Sequence, residues 1–168
     1  ANLVGVSLSV EPGSGCYIPL GHTGSGDQGA FDLGDSDAPK DAPKQLSLKK
    51  AIAKLKPLLE SPGVLKIGQN IKYDMHVLRR VGLNVTPVDD TMVLSYVLDG
   101  SSHGHGMDEL SELHLGHITI KFSDVCGKGK NQITFDRVPL DKATDYAAED
   151  ADITLRLQKI LKPRLVED

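Results

Sequence analysis

Residues 144–157 read TDYAAEDADITLRL, and their spacing decides the architecture. Tyr146, Ala147, Asp150, Ile153, Thr154 and Leu157 recur at the three- and four-residue intervals that share one helix face. The stripe extends back to Ala143 and on to Leu161, so the sequence predicts a long helix from about Asp141 to Lys162, stopped by Pro163. Within that stripe Asp150 is out of place, because a lone carboxylate turned toward a core is costly. Glu149 and Asp152 point off the stripe and read as ordinary exposed helix residues. A second stretch, GQNIKYDMHVL at 68–78, repeats the pattern. Asn70 and Asp74 lie four apart on a predicted helix near Asn70–Val81, ended around Gly82, with Leu78 and Val81 continuing an inward face. Two acids on apolar helix faces point to one shared, charge-demanding site, and a divalent metal is the usual charge that gathers carboxylates. Asn70 also reads as a plain helix N-cap.

Outward from these helices, Leu3–Val10 alternates as a strand and Pro12–Gly15 turns it into a second strand at Cys16–Leu20. Residues 21–45 are rich in Gly, Ser, Asp and Pro and read as a long flexible loop. Ser47 can cap a helix to about Glu60, with Leu48, Ile52, Leu55 and Leu59 buried. Val64–Ile67 and Val85–Val88 read as short interior strands. Asp90 can cap a helix through Met92, Leu94 and Val97. The break Gly100–Gly106 follows, then a short helix from Met107 with Leu110 and Leu113. Residues 116–138 are mixed. A hairpin followed by alternating helices and strands gives an α/β domain, a mixed sheet covered by helices on both faces.

The chain has 168 residues, 39% of them hydrophobic, enough for one domain with a single good core. No apolar stretch has the length to span a bilayer and the start has no basic leader, so no membrane partner and a cytoplasmic location are expected. Cys16 and Cys126 lack metal or disulfide-framework spacing. A net charge of −4 excludes nucleic-acid binding by bulk electrostatics, though not a local site where bound metal supplies the positive charge.

Other motifs carry less. Gly24-Ser-Gly-Asp-Gln-Gly29 fits a dinucleotide pattern but no helix follows it, so it is rejected. Gly127-Lys-Gly-Lys130 lacks phosphate-loop spacing and reads as a flexible loop, whose Lys128 and Lys130 can still touch a phosphate backbone. His103 and His105 fall in a Gly/Ser-rich break and read as solvated loop. His22, His76, His114 and His117 have no partner pattern. Phe122 stays open between core packing and stacking on a base.

The blocks GQNIKYDMHVL, DDTMVLSYVLDG, HGMDELSELHLGHITIKF, GKGKNQITF and DYAAEDADITLRL resemble, in order, the 3′–5′ proofreading exonuclease domain of bacterial DNA polymerase I, a family A polymerase. The likeness includes ANLVGVSLSVEP and CYIPLGH and covers nearly the whole chain outside the 21–45 loop. It implies a ribonuclease-H-like fold of the DEDD class, tyrosine subtype, over residues 1–168. By that resemblance two divalent ions (Mg2+ or Mn2+) act in the complete domain, Asp150 binding the first and Asp74 holding the second, largely through water. Tyr146 orients the attacking water, and Asn70 and Phe122 place the terminal nucleotides. The implied partners are a single-stranded or frayed DNA 3′ end and the polymerase domain of the same parent chain, in the bacterial cytoplasm at the nucleoid.

The resemblance also implies an Asp-x-Glu motif on a central strand just ahead of ANLVGVSLSV. No Asp-x-Glu within the sequence replaces it, since Asp108-Glu109 and Glu149-Asp150 are spaced differently. The expectation is therefore an N-terminally incomplete domain without its first core strand, with weak or absent metal binding and no activity of its own. A free-standing ribonuclease D-like nuclease and a degenerate, non-enzymatic scaffold or single-strand binder are the competing readings.

Overall fold

In the computed structural model, residues 2–23 and 43–167 are described. The predicted Gly24–Gly29 stretch and most of the 21–45 loop lie outside them. The chain opens with β1 (Gly5–Glu11) and β2 (Ser14–Pro19), an antiparallel hairpin in which Val6 faces Ile18 and Leu8 faces Cys16. Helix α1 (Leu48–Leu59) follows, then β3 (Lys66–Gly68), α2 (Ile71–Arg80), β4 (Val88–Asp90), α3 (Thr91–Asp99), α4 (Met107–Leu115), the short α5 (Phe122–Cys126) and the long α6 (Leu140–Glu167). Single 3-10 turns stand at Gly129–Asn131 and Phe135–Arg137.

The α/β class is as read from the sequence, but the strands are arranged differently. Among the described residues β1 pairs only with β2, and β3 only with β4 in parallel, so there are two small sheets and not one continuous one. Helix α6 packs against β1, β2 and β3 and is the element that joins both sheets. Its stripe is as expected: Ala143, Ala147, Ile153, Thr154, Leu157 and Leu161 are buried. Leu94 and Leu110 join Ile153, Leu157 and Leu161 in one core cluster, while α1, Leu83 and Val85 form a second against the hairpin. The small side chains on α6 matter here. Gly15 of β2 sits directly against the Ala148 backbone, where a side chain would not fit, and the Gly13 amide donates to Asp152 Oδ1 at 2.6 Å.

Several sequence expectations are corrected. Pro163 does not stop α6, which runs on to Glu167. The bond Pro163 forfeits is to the carbonyl of Lys159, an exposed residue where water can serve. Beyond the proline, Arg164 grips Asp99 with two hydrogen bonds, of 2.9 and 3.2 Å, and Leu165 packs on the core. The interior strands start two and three residues later than predicted, at Lys66 and Val88, and Val64 and Leu65 are exposed. Lys66 is buried there because its ammonium donates to the carbonyls of Ser61, Val64 and Thr86. Val97 on α3 and Leu113 on α4 face solvent, the buried positions being Thr91, Leu94 and Ser95, and Leu110 and Ser111. Ser47 stands at the N-cap of α1 but makes no side-chain cap bond.

Candidate active site

On α6, Tyr146 and Asp150 are both half-buried, one turn apart on the flank of the core stripe. The Asp150 carboxylate has the chemistry of an incomplete site. Its Oδ1 is enclosed and has no hydrogen-bond partner among the described residues. Burial pushes its pKa up to about 7; the neighbouring Tyr146 hydroxyl pulls the other way, and the negative charges of Glu149 and Asp108 raise it further. Tyr146 in turn is pushed well above the ordinary phenol range, by burial first and then by Asp150. A buried oxygen with spare lone pairs, in a group kept partly protonated for want of positive charge, is what a divalent cation relieves.

Glu149, read from the sequence as an exposed residue, ties this helix to the loop that delivers Phe122. Its two oxygens meet His117 Nε2 at 2.8 Å and the Ile120 amide at 2.6 Å. Asp108 accepts from the Thr119 hydroxyl at 2.7 Å. Residues 117–120 are thus held to α6 and α4 at once, and α5 begins at a fixed place. Phe122, 45% exposed, meets Tyr146 edge-on with ring centres 6.2 Å apart and stacks on Phe135 at 6.4 Å. The Phe135 and Tyr146 rings are 5.8 Å apart.

Phe122 and Phe135 form one wall of an open cleft of about 720 Å3, which Gln132, Gly129, Thr23 and Tyr73 also line. The chain has four tyrosines and three phenylalanines, and Tyr73, Phe122, Phe135 and Tyr146 gather at this cleft and its wall. Stacking is therefore the surface's main offer to a ligand, since every nucleic-acid base has a π face. Lys128 and Lys130, both exposed, flank Gly129 at the rim.

Helix α2 reaches the same cleft through Tyr73, the residue before Asp74. Asp74 does not face the core as expected. A helix that begins at Ile71 turns Ile71, Met75 and Leu78 inward and leaves Asp74 open to solvent. Its surroundings still push its pKa upward, through desolvation first and the nearby Asp90 charge, an effect that water moderates at so open a side chain. Asn70 is half-buried in the left-handed region (φ 55°) and makes no side-chain cap bond. Asp90 does that work: its oxygens accept from the amides of Asn70 (2.9 Å), Ile71 (3.0 Å) and Met92 (2.9 Å), fixing the starts of α2 and α3 together.

Phe122, Gly129 between the two lysines, and Tyr73 of α2 thus line one cleft, Tyr146 packs behind it against Phe122 and Phe135, and Asp150 lies one turn further along α6. Asp74 and Asp150 are perturbed by different acids, and among the described residues neither belongs to a cluster of three metal-capable side chains. Sequence reading missed Tyr73, Phe135 and the contacts of Glu149; it gave Asp90 as the cap of α3, which the bond from the Met92 amide bears out, but not its hold on the start of α2. Tyr73 had a signal in its place beside Asp74, whereas the Glu149 contacts join residues about thirty positions apart and leave no local trace.

This fold, a long helix spanning two strand pairs, is shared with solved nuclease structures. NrnC of Brucella melitensis superimposes with a TM-score of 0.66 at 21% identity, over 99% of this chain and 66% of that one. The same protein with bound Mg2+ gives 0.56 at 22% identity, over 98% and 72%. The chain belongs to the 3′–5′ exonuclease family of the DNA polymerase I type, whose family model matches residues 1–166. DNA polymerase I of Rhizobium leguminosarum is 46% identical over 175 aligned residues, covering 98% of this chain. The chain spans about a sixth of that relative's length, 16%.

Proposed function

We propose that this chain is the proofreading module of a bacterial DNA polymerase I, trimming a single-stranded or frayed DNA 3′ end by hydrolysis. Water adds to the terminal phosphorus, the bond to the 3′ oxygen breaks, that oxygen takes up a proton, and a nucleoside 5′-monophosphate leaves. The observation that carries the reading is the Tyr146–Asp150 pair, an enclosed and unsatisfied carboxylate beside a hydroxyl, at the aromatic wall of the cleft.

Asp150, through its orphaned oxygen, would hold one divalent ion, and Asp74 would hold a second. Such ions, as in the Mg2+-bound NrnC structure, supply charge that activates water and stabilises the leaving oxygen. Tyr146, too reluctant an acid to ionise, holds the attacking water by its hydroxyl. Phe122 and Phe135 stack on the terminal base, Asn70 helps place the end nucleotide, and Lys128 and Lys130 meet the phosphate backbone. Asp74 and Asp150 are too few for tight two-ion binding. On this reading a strand bearing an Asp-x-Glu pair belongs between β1 and β3, whose outer edges are unpaired among the described residues. The isolated chain then binds Mn2+ weakly in calorimetry, and tight two-site binding contradicts the ligand set.

The reaction is tested with the polymerase that carries this sequence, Mg2+ and a 5′-labelled single-stranded oligonucleotide. Stepwise shortening from the 3′ end with release of nucleoside 5′-monophosphates is expected. Shortening from the 5′ end, or nucleoside 3′-monophosphates, contradicts it.

A further inference from the structure

A second cluster lies where α3, the 100–106 loop, α4 and the end of α6 meet. One ligand-capable atom from each of Asp99, His103 and His114 lies within 4.8 Å of the other two. The loop histidines, read from the sequence as solvated, are half-buried. His103 Nδ1 contacts the Gly104 carbonyl at 2.7 Å. A carbonyl only accepts, so Nδ1 carries the proton, and in the neutral ring the lone pair sits on Nε2. That Nε2 is enclosed, 3.5 Å from Asp99 Oδ2, and makes no hydrogen bond among the described residues. His114 Nε2 is likewise enclosed and without a hydrogen-bond partner. Both Nε2 atoms are thus enclosed without a hydrogen bond, that of His103 having only the Asp99 carboxylate at 3.5 Å, where a proton or a metal ion between the two relieves the cost.

His105 shows the contrast. Its Nδ1 meets the Ser95 hydroxyl at 2.8 Å and its Nε2 the Gly100 carbonyl at 2.6 Å, so both nitrogens are used and the ring serves to anchor the loop. Asp99 is held by the fork of Arg164, one bond to each oxygen. A carboxylate oxygen has a second lone pair, so the fork orients Asp99 and leaves it able to coordinate.

We propose that Asp99, His103 and His114 form a binding site for a divalent transition-metal ion of the zinc type, separate from the acidic cleft. Two imidazoles and one carboxylate are a borderline-soft N/O set, which selects zinc or its first-row neighbours over magnesium. The Gly104 carbonyl on His103 and Arg164 on Asp99 supply the outer contacts that orient such ligands. Tetrahedral zinc places its ligand atoms roughly 3.4 Å apart, and the triad atoms lie within 4.8 Å of one another, so each edge closes by at most about 1.4 Å, a movement helped by Gly104 next to His103. Three protein ligands leave one position for water. The bound ion clamps α3, α4 and, through Arg164, the tail of α6.

The test is zinc titration of the chain by calorimetry, with zinc chloride as the probe. One ion per chain is expected, equally in the Asp74→Asn/Asp150→Asn double variant, which removes the carboxylates of the cleft. His103→Ala and His114→Gln each weaken binding at least tenfold, and His76→Ala, at an exposed histidine outside the cluster, leaves it unchanged. Absence of zinc binding, binding that survives His103→Ala in a folded chain, or loss in the cleft variant overturns the site. Should the histidine variants unfold, cobalt decides on the unaltered chain. Visible bands of a four- or five-coordinate nitrogen-bearing ion support the triad, and the spectrum of hydrated cobalt overturns it.

Discussion

Asp150 is costly to the fold in proportion to its use. An unfolded aspartate titrates near about 3.9, whereas this one, buried, titrates near about 7, so the folded chain binds the proton more tightly. The stability gained from that proton is fully present below about pH 4 and is lost as the pH rises through about 7. Asp150→Asn, which stays neutral, therefore makes the metal-free chain more stable than the parent at about pH 8, by on the order of 3 kcal/mol, with the difference vanishing near pH 4. Urea unfolding at the two pH values checks this, and coincident midpoints at the higher pH contradict it. Tyr146→Phe keeps the ring contacts with Phe122 and Phe135 and removes only the hydroxyl. It is expected to slow hydrolysis by about 10- to 100-fold with little change in thermal midpoint, and an unchanged rate removes Tyr146 from the water-positioning role.

Among the elements, Asp90 makes the strongest local prediction. Its three amide bonds hold the first turns of α2 and α3, so Asp90→Ala costs about 2 kcal/mol. Hydrogen exchange reads it as lost protection at Asn70, Ile71 and Met92, and unchanged protection there contradicts the role. The elements also show what the sequence can display. The stripe of α6 was legible because its period is local and unbroken, and Asp150 stood out as its exception. Pro163 misled because the end of α6 is held by Arg164 and Leu165 reaching distant residues, and tertiary contacts overrode a local breaker. Asp74 was misplaced because the inner face of α2 depends on which residue starts the helix, and that start is set by Asp90 from another strand. The aromatic grouping at the cleft was invisible for the same reason: Tyr73, Phe122, Phe135 and Tyr146 come from four separate segments.

At the scale of the whole molecule, α6 is the scaffold and carries the proposed site. Its buried face joins the two sheets, its flank carries Tyr146, Glu149 and Asp150, and its end meets Asp99. Leu157, fully buried among Leu94, Leu110, Ile153 and Leu161, is a position where Leu157→Ala costs about 2–5 kcal/mol, seen as a lower denaturation midpoint without selective loss at the cleft. Among the described residues no helix is long and apolar enough to cross a membrane. On the proposed function, Asp150 is the carboxylate around which 3′–5′ hydrolysis is organised. The direct measurement is the Mg2+-dependent rate of 3′ nucleotide release from single-stranded DNA by the polymerase carrying this sequence, with and without Asp150→Ala. Loss of release by at least about a thousandfold is expected, with DNA synthesis retained. Release at the unaltered rate by the Asp150→Ala protein contradicts it.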